Sequence, residues 1–148
     1  MIVPDTNVLS ALMQQRPDAQ VVAWLDNQLA ESIWITLFEA RYGLALLAPG
    51  QRKNLLQERF DQLVQDALEN RVLQFDADAA TQAAQLAAER KARGRPVDMR
   101  DTFIAGIALA KRATLAIRNT RQFDDLSVRV VNPWAESQSK RTVLENKG

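Results

Sequence analysis

The chain opens on "MIVPDT", a strand's worth of apolar residues that runs straight into an aspartate, and the shortness of that run is what most limits the fold. Similar short apolar runs return at residues 33–35, 72–75, 114–118 and 128–131. Each is long enough for a buried strand and too short for a helix. Between them lie longer stretches in which apolar residues recur every three or four positions, the spacing of one helix face. From Pro17 the set is Val21, Leu25 and Leu29; residues 38–47 are helical until Pro49-Gly50; residues 54–68 carry Leu56, Phe60, Leu63 and Ala67. Residues 77–93 are alanine-rich up to Gly94, and residues 102–112 have few polar interruptions. Strands that alternate with helices predict an α/β fold, with a parallel sheet covered by helices on both faces. At 148 residues this is one domain, placed at residues 1–134, followed by a polar, frayed C-terminal tail at 135–148.

Composition narrows the chemistry. The chain has no cysteine and no histidine, so disulfides, zinc-thiolate sites, thiol nucleophiles, Ser-His-Asp triads and histidine-pair nucleases are all excluded. What remains is carboxylate, lysine, hydroxyl or metal chemistry, and carboxylates around a divalent cation are the easiest route to a nucleophile at neutral pH. The net charge of +1 gives no general attraction to polyanions, so a nucleic-acid substrate needs a local basic patch. With neither an apolar run of about 18 residues nor a secretory leader, the expected location is the cytoplasm, away from membranes.

Four polar residues fall where strand ends meet helix starts. Asp5 follows the first apolar run, Glu39 opens the helix after the second, Asp101 opens the helix before the fourth, and Asn119 follows the fourth. A parallel sheet brings such positions together at the crevice beyond its C-terminal edge. Taken singly, each has a plainer use. Asp5 suits a helix cap, Glu39 suits a dipole-favoured first turn, and Asp98 with Asp101 has the spacing of a capping box. Arg118 and Arg121 suit solvated charges. The conjunction is harder to explain by stability, because crowded carboxylates repel one another unless a cation lies between them.

The segments "DTNVLSAL", "ITLFEARYGL", "GRPVDMRDTFIAGIALAK" and "TLAIRNTRQF", in this order and reaching to Asn132-Pro133-Trp134, resemble the PIN-domain ribonucleases, in particular the VapC-like and FitB-like toxins of toxin–antitoxin pairs. The resemblance implies a PIN-like three-layer α/β/α domain with about four or five short, mostly parallel strands. It implies an endoribonuclease in which Asp5 and Asp101 hold Mg2+ or Mn2+ and Glu39 orients a water or a second ion. Asn119 stands where the family usually has an aspartate, and Pro4 stands where it usually has an aliphatic residue. Arg118, Arg121 and Arg100 become candidates for contact with the RNA backbone. The implied partners are RNA, a small VapB-like antitoxin and a second copy in a homodimer; the apolar helix positions Trp24, Leu25, Leu44 and Leu47 are candidates for the groove or the dimer contact, with ordinary core packing the expected use of most of them. Two other readings stay in view: a PIN-like binding module with a weakened site, and a haloacid dehalogenase-type phosphatase. The phosphatase needs a second acid two residues after Asp5, where this chain has Asn7.

Overall fold

The computed structural model of the chain describes residues 1–95 and 98–135. Strand β1 (Ile2–Pro4) leads into α1 (Thr6–Met13) and α2 (Ala19–Asp26); a 3-10 turn at Ala30–Ser32 precedes α3 (Phe38–Leu46). Helix α4 (Gln51–Gln62) continues into a wider π-helical turn, Leu63–Ala67. The long α5 (Ala77–Ala92) and α6 (Met99–Lys111) follow, then β2 (Thr114–Ala116), a 3-10 turn at Thr120–Phe123, and β3 (Val130–Val131). The expected tail lies, from residue 136 on, outside the described residues.

The three strands are parallel in the order β1-β2-β3, with Val3 opposite Leu115 and Ala116 opposite Val131. The expected strands at residues 33–35 and 72–75 are reduced to single parallel bridges, Ile2 with Ile33 and Ile35 with Val72. They still extend the sheet beyond β1, so five segments run alongside one another. Pro4 explains part of the reduction. Backbone groups of alternate residues face opposite neighbours in a parallel strand. Ile2 faces the 33–35 segment, accepting from the Trp34 amide at 2.9 Å, whereas Asp5 faces β2, donating to the Ala116 carbonyl at 2.9 Å. Pro4 therefore turns its missing amide toward the 33–35 segment, and the ladder there does not pass Ile2. The fourth run is strand only over Thr114–Ala116 and the fifth only over Val130–Val131, although the Ile117 amide still donates to the Val131 carbonyl and the Leu115 amide to the Arg129 carbonyl, both at 2.9 Å.

Each sheet face has its own core. Val3, Leu115 and Ile117 pack with Ala79, Leu86, Ile104, Ala105 and Ala108 from α5 and α6. Toward the other side, Ile33 and Ile35 pack with Leu9, Ala40, Leu44 and Phe60 from α1, α3 and α4 and with Val64 from the π-helical turn, and Ala116 packs with Val131 and Trp24 from α2. This is the expected three-layer arrangement. Trp24 is buried at 3% exposure, so it belongs to this core and not to an open groove. Two helices start earlier than apolar spacing predicts. Gly50, at φ 152°, turns the chain immediately before α4, whose first turn Gln51-Arg52-Lys53 has no apolar face to reveal it. Asp98 caps α6 by accepting from the Arg100 amide at 2.8 Å, which starts that helix at Met99.

Candidate active site

The C-terminal edge of the sheet gathers the three acids. Asp5 leaves β1 in extended backbone and caps α1, its Oδ1 accepting from the Val8 amide at 3.1 Å. The helix-cap reading is thus correct, and it is compatible with a second role. Burial pushes the Asp5 carboxyl up to about 6; the Val8 amide opposes this, and the charges of Glu39 and Asp101 add to it. Glu39, in the first turn of α3, is raised by burial first and by the Asp101 charge second; Arg100 and a hydrogen bond from Thr6 pull it back. Asp101, in the first turn of α6, is raised by burial and by Asp98 and lowered by Arg100 and Arg90. Three half-buried carboxylates from three elements therefore feel one another's charge. Helix starts soften the repulsion for Glu39 and Asp101, since the N-terminal dipole favours an anion.

The polar positions around them divide. Asn119 sits three residues past Ala116, the residue that receives the Asp5 amide, so it lies at the same edge, exposed. Among the described residues its side chain makes no hydrogen bond to the three acids. Arg100 is committed: its Nε and Nη2 reach Asp98 at 3.1 and 3.0 Å, and its guanidinium lies 5.3 Å from the Tyr42 ring centre. Asp98 is therefore answered by Arg100 and not by Asp101, and the capping-box reading of that pair fails. Arg118 stacks over Trp134 at 4.9 Å, and Arg121 projects from the 3-10 turn, exposed.

The donor set suits a hard divalent cation. Every candidate ligand atom is oxygen, and raised carboxyl pKa values are what an added cation would relieve. Among the described residues no three acids already stand close enough to enclose an ion. Mutual repulsion is a sufficient reason for that spacing.

Two contributors escape the sequence reading. Thr6 follows Asp5 directly, and only the fold brings it near enough to Glu39 to favour the charged carboxylate. Arg90 is buried, and its signal was present: Ala79, Ala83, Leu86 and Arg90 recur at helical spacing along the covered face of α5. An arginine in register with a buried stripe is rarely idle.

Comparison with known proteins gives a consistent result. Residues 2–128 match the family described as PIN domain. VapC ribonuclease Y4jK from Sinorhizobium fredii is 40% identical, covering 90% of this chain and 98% of the relative. Toxin FitB from Neisseria gonorrhoeae is 39% identical, covering 90% of this chain and 99% of the relative. The crystal structure of FitAcB from Neisseria gonorrhoeae superposes with a TM-score of 0.80 at 37% identity, covering 91% of this chain and 99% of that one.

Proposed function

This chain belongs to the PIN-domain family, and we propose that it is the ribonuclease toxin of a toxin–antitoxin pair, dependent on Mg2+ or Mn2+. The observation that carries the reading is the set of three mutually repelling, half-buried carboxylates at the C-terminal edge of the sheet. Asp5 and Asp101 are the residues to hold the cation, and Glu39 the residue to orient the attacking water. A divalent cation at such a site supplies a nucleophile at neutral pH and neutralises charge on the phosphate. Thr6 favours the charged form of Glu39, while burial raises its pKa toward the pH at which a carboxylate exchanges protons usefully. Asn119 adds a neutral donor and acceptor at the same edge. Arg118 and Arg121 contact the RNA backbone, which sets register without reading sequence. Arg100 tempers the charge of Glu39 and Asp101.

An RNA target puts the protein to work in the cytoplasm. The exposed side chains of Phe38 and Tyr42 on α3, Met99 on α6 and Phe75 just before α5 give a second copy an apolar face to bury, in keeping with a homodimer. Asn7, exposed where a phosphatase of the haloacid dehalogenase type needs an acid, removes that alternative.

The test is cleavage of labelled RNA by the purified protein. Cleavage is expected with Mg2+ or Mn2+ and lost in chelator. Asp5→Ala and Asp101→Ala are each expected to lower the rate roughly a hundredfold or more, because several kcal/mol of charge stabilisation depends on the cation they hold. Cleavage that survives both chelator and substitution would sink the proposal; a folded protein that binds RNA and never cuts it would favour a binding module.

A further inference from the structure

Helix α5 buries a guanidinium at a position where its spacing calls for an apolar side chain. Arg90 is 1% exposed. A buried charge costs several kcal/mol unless its partners are well placed, and here they are. Nε and Nη2 reach the two carboxylate oxygens of Asp125 at 2.8 Å each, Nη2 also donates to the Gln122 carbonyl at 2.9 Å, and the guanidinium lies 5.6 Å from the Phe123 ring centre. Asp125 is itself buried, and Arg90 holds its carboxyl below the usual carboxylate range. Just beyond α5, Arg95 makes a second, exposed clasp, with Nη1 on Asp124 at 2.8 Å and Nη2 on the Arg121 carbonyl.

All of these bonds converge on one short segment. The 3-10 turn at Thr120–Phe123 has no side-chain cap of its own at Asn119, so α5 and Arg95 supply what fixes it. That segment starts at Asn119 and carries Arg121. The Arg90 charge also lowers the Asp101 carboxyl slightly against its burial. Its Nη1 is buried without a hydrogen-bond partner among the described residues, a cost that packing alone would not select over leucine or methionine.

We propose that Arg90 is a positioning residue that latches the 119–125 segment to the end of α5, setting where Arg121 meets an RNA backbone relative to the acids. The inference rests on the ribonuclease reading above. Arginine is required because one planar fork serves both Asp125 oxygens and the Gln122 carbonyl while stacking on Phe123; lysine keeps the charge and loses the fork.

The experiment reads the salt dependence of binding to a fluorescent single-stranded oligoribonucleotide, in an Asp5→Asn background so that the probe stays intact. Measurements are made well below the melting temperature of each variant. Arg121→Ala is expected to reduce the slope of log K against log salt by about 0.7, the share of one phosphate contact on a single strand. Arg90→Lys is expected to reduce it by a similar amount, and the double variant by no more than either alone, since both remove the same contact. Should Arg90→Lys not fold, Asp125→Asn takes its place. Removing an acid would on charge alone strengthen RNA binding, whereas a released latch weakens it. A lowered melting temperature with an unchanged slope in the latch variant, or additive losses in the double variant, would overturn the inference. If the parent neither cleaves nor binds RNA, the ribonuclease reading falls first and this inference with it.

Discussion

Asp5 uses one carboxylate oxygen to cap α1 while burial and two neighbouring acids make its ionised form costly. In metal-free protein its pKa stands near 6 against 3.8 for the unperturbed group. Between those values the folded state binds more protons than the unfolded one, so stability is full below about pH 4 and falls as pH rises through 6. The loss is about 3 kcal/mol at its largest, from about two pKa units at 1.36 kcal/mol each. Glu39 and Asp101 shift in the same direction and steepen the decline. Asp5→Asn keeps the cap and removes the charge, so its melting temperature in chelator at pH 7.5 or so is expected to exceed that of the parent, with a flatter pH profile. Millimolar Mg2+ or Mn2+ should raise the parent's melting temperature and leave Asp5→Asn nearly unmoved. Equal metal shifts in both proteins would remove Asp5 from the ion's ligands. The positions of the three acids were legible because each stands at a helix start; Asp5 and Glu39 follow strand segments as expected, whereas Asp101 opens α6 directly after α5, a helix-to-helix junction where a strand end was expected. The neighbours of Thr6, the partners of Arg90 and the contact of Arg100 with Tyr42 were not, since they depend on pairings between elements that no local pattern encodes, although the register of Arg90 in the buried stripe of α5 and the two-residue spacing of Asp98 and Arg100 are both local.

Helices were more legible than strands for a physical reason. Amphipathic periodicity repeats over eight or more residues, and Asp98, weighed as a cap, does accept a backbone amide; Asp18 and Asp76 cap their helices in the same way, which the structure adds. A two- or three-residue strand has almost no pattern, and whether it pairs is decided by its neighbours, as Pro4 does for the 33–35 segment. The closest packing between helices is also decided outside the local sequence. Gly106 of α6 lies against α5, and a Cβ there would stand 2.6 Å from the Ala79 carbonyl oxygen and 2.7 Å from the Ala83 methyl. Alanine would improve helix propensity by about 1 kcal/mol, yet backbone cannot yield as a flexible side chain can. Gly106→Ala is expected to lower stability by about 1–3 kcal/mol in urea unfolding. Gly43 is the internal control: it lies within α3 and a Cβ there meets nothing within 4 Å, so Gly43→Ala should stabilise by roughly 0.5–1 kcal/mol. The opposite ordering would show that the α5–α6 approach is looser than described.

At the scale of the whole molecule, the acids at the sheet edge are joined to an apolar surface. A cavity of about 260 Å³ lies between α1, α3 and α4, lined by Leu9, Met13, Leu44, Leu47, Leu56 and Phe60 and also by Thr6, the neighbour of Asp5 that favours the charged form of Glu39. Of the residues expected to form a groove, Leu44 and Leu47 line this one, while Trp24 and Leu25 pack into the core beside Ala116. A protein that destroys RNA needs an inhibitor that reaches the acids, and a small antitoxin with an amphipathic segment fits both halves of this surface. Its apolar side chains would fill the groove, and an arginine at its end would make charge-assisted bonds to Asp5 and Asp101 in the place of a metal. Ser10 is exposed on the groove wall, so Ser10→Trp should fill the channel with little disturbance to the core. Expressed alone, the parent and Ser10→Trp are both expected to arrest bacterial growth, and Asp5→Ala is not. Expressed with the neighbouring reading frame, the parent should be silenced while Ser10→Trp still arrests growth, because its inhibitor can no longer seat. If the neighbour silences both equally, the inhibitor binds elsewhere and the link between groove and acids is not the route of control.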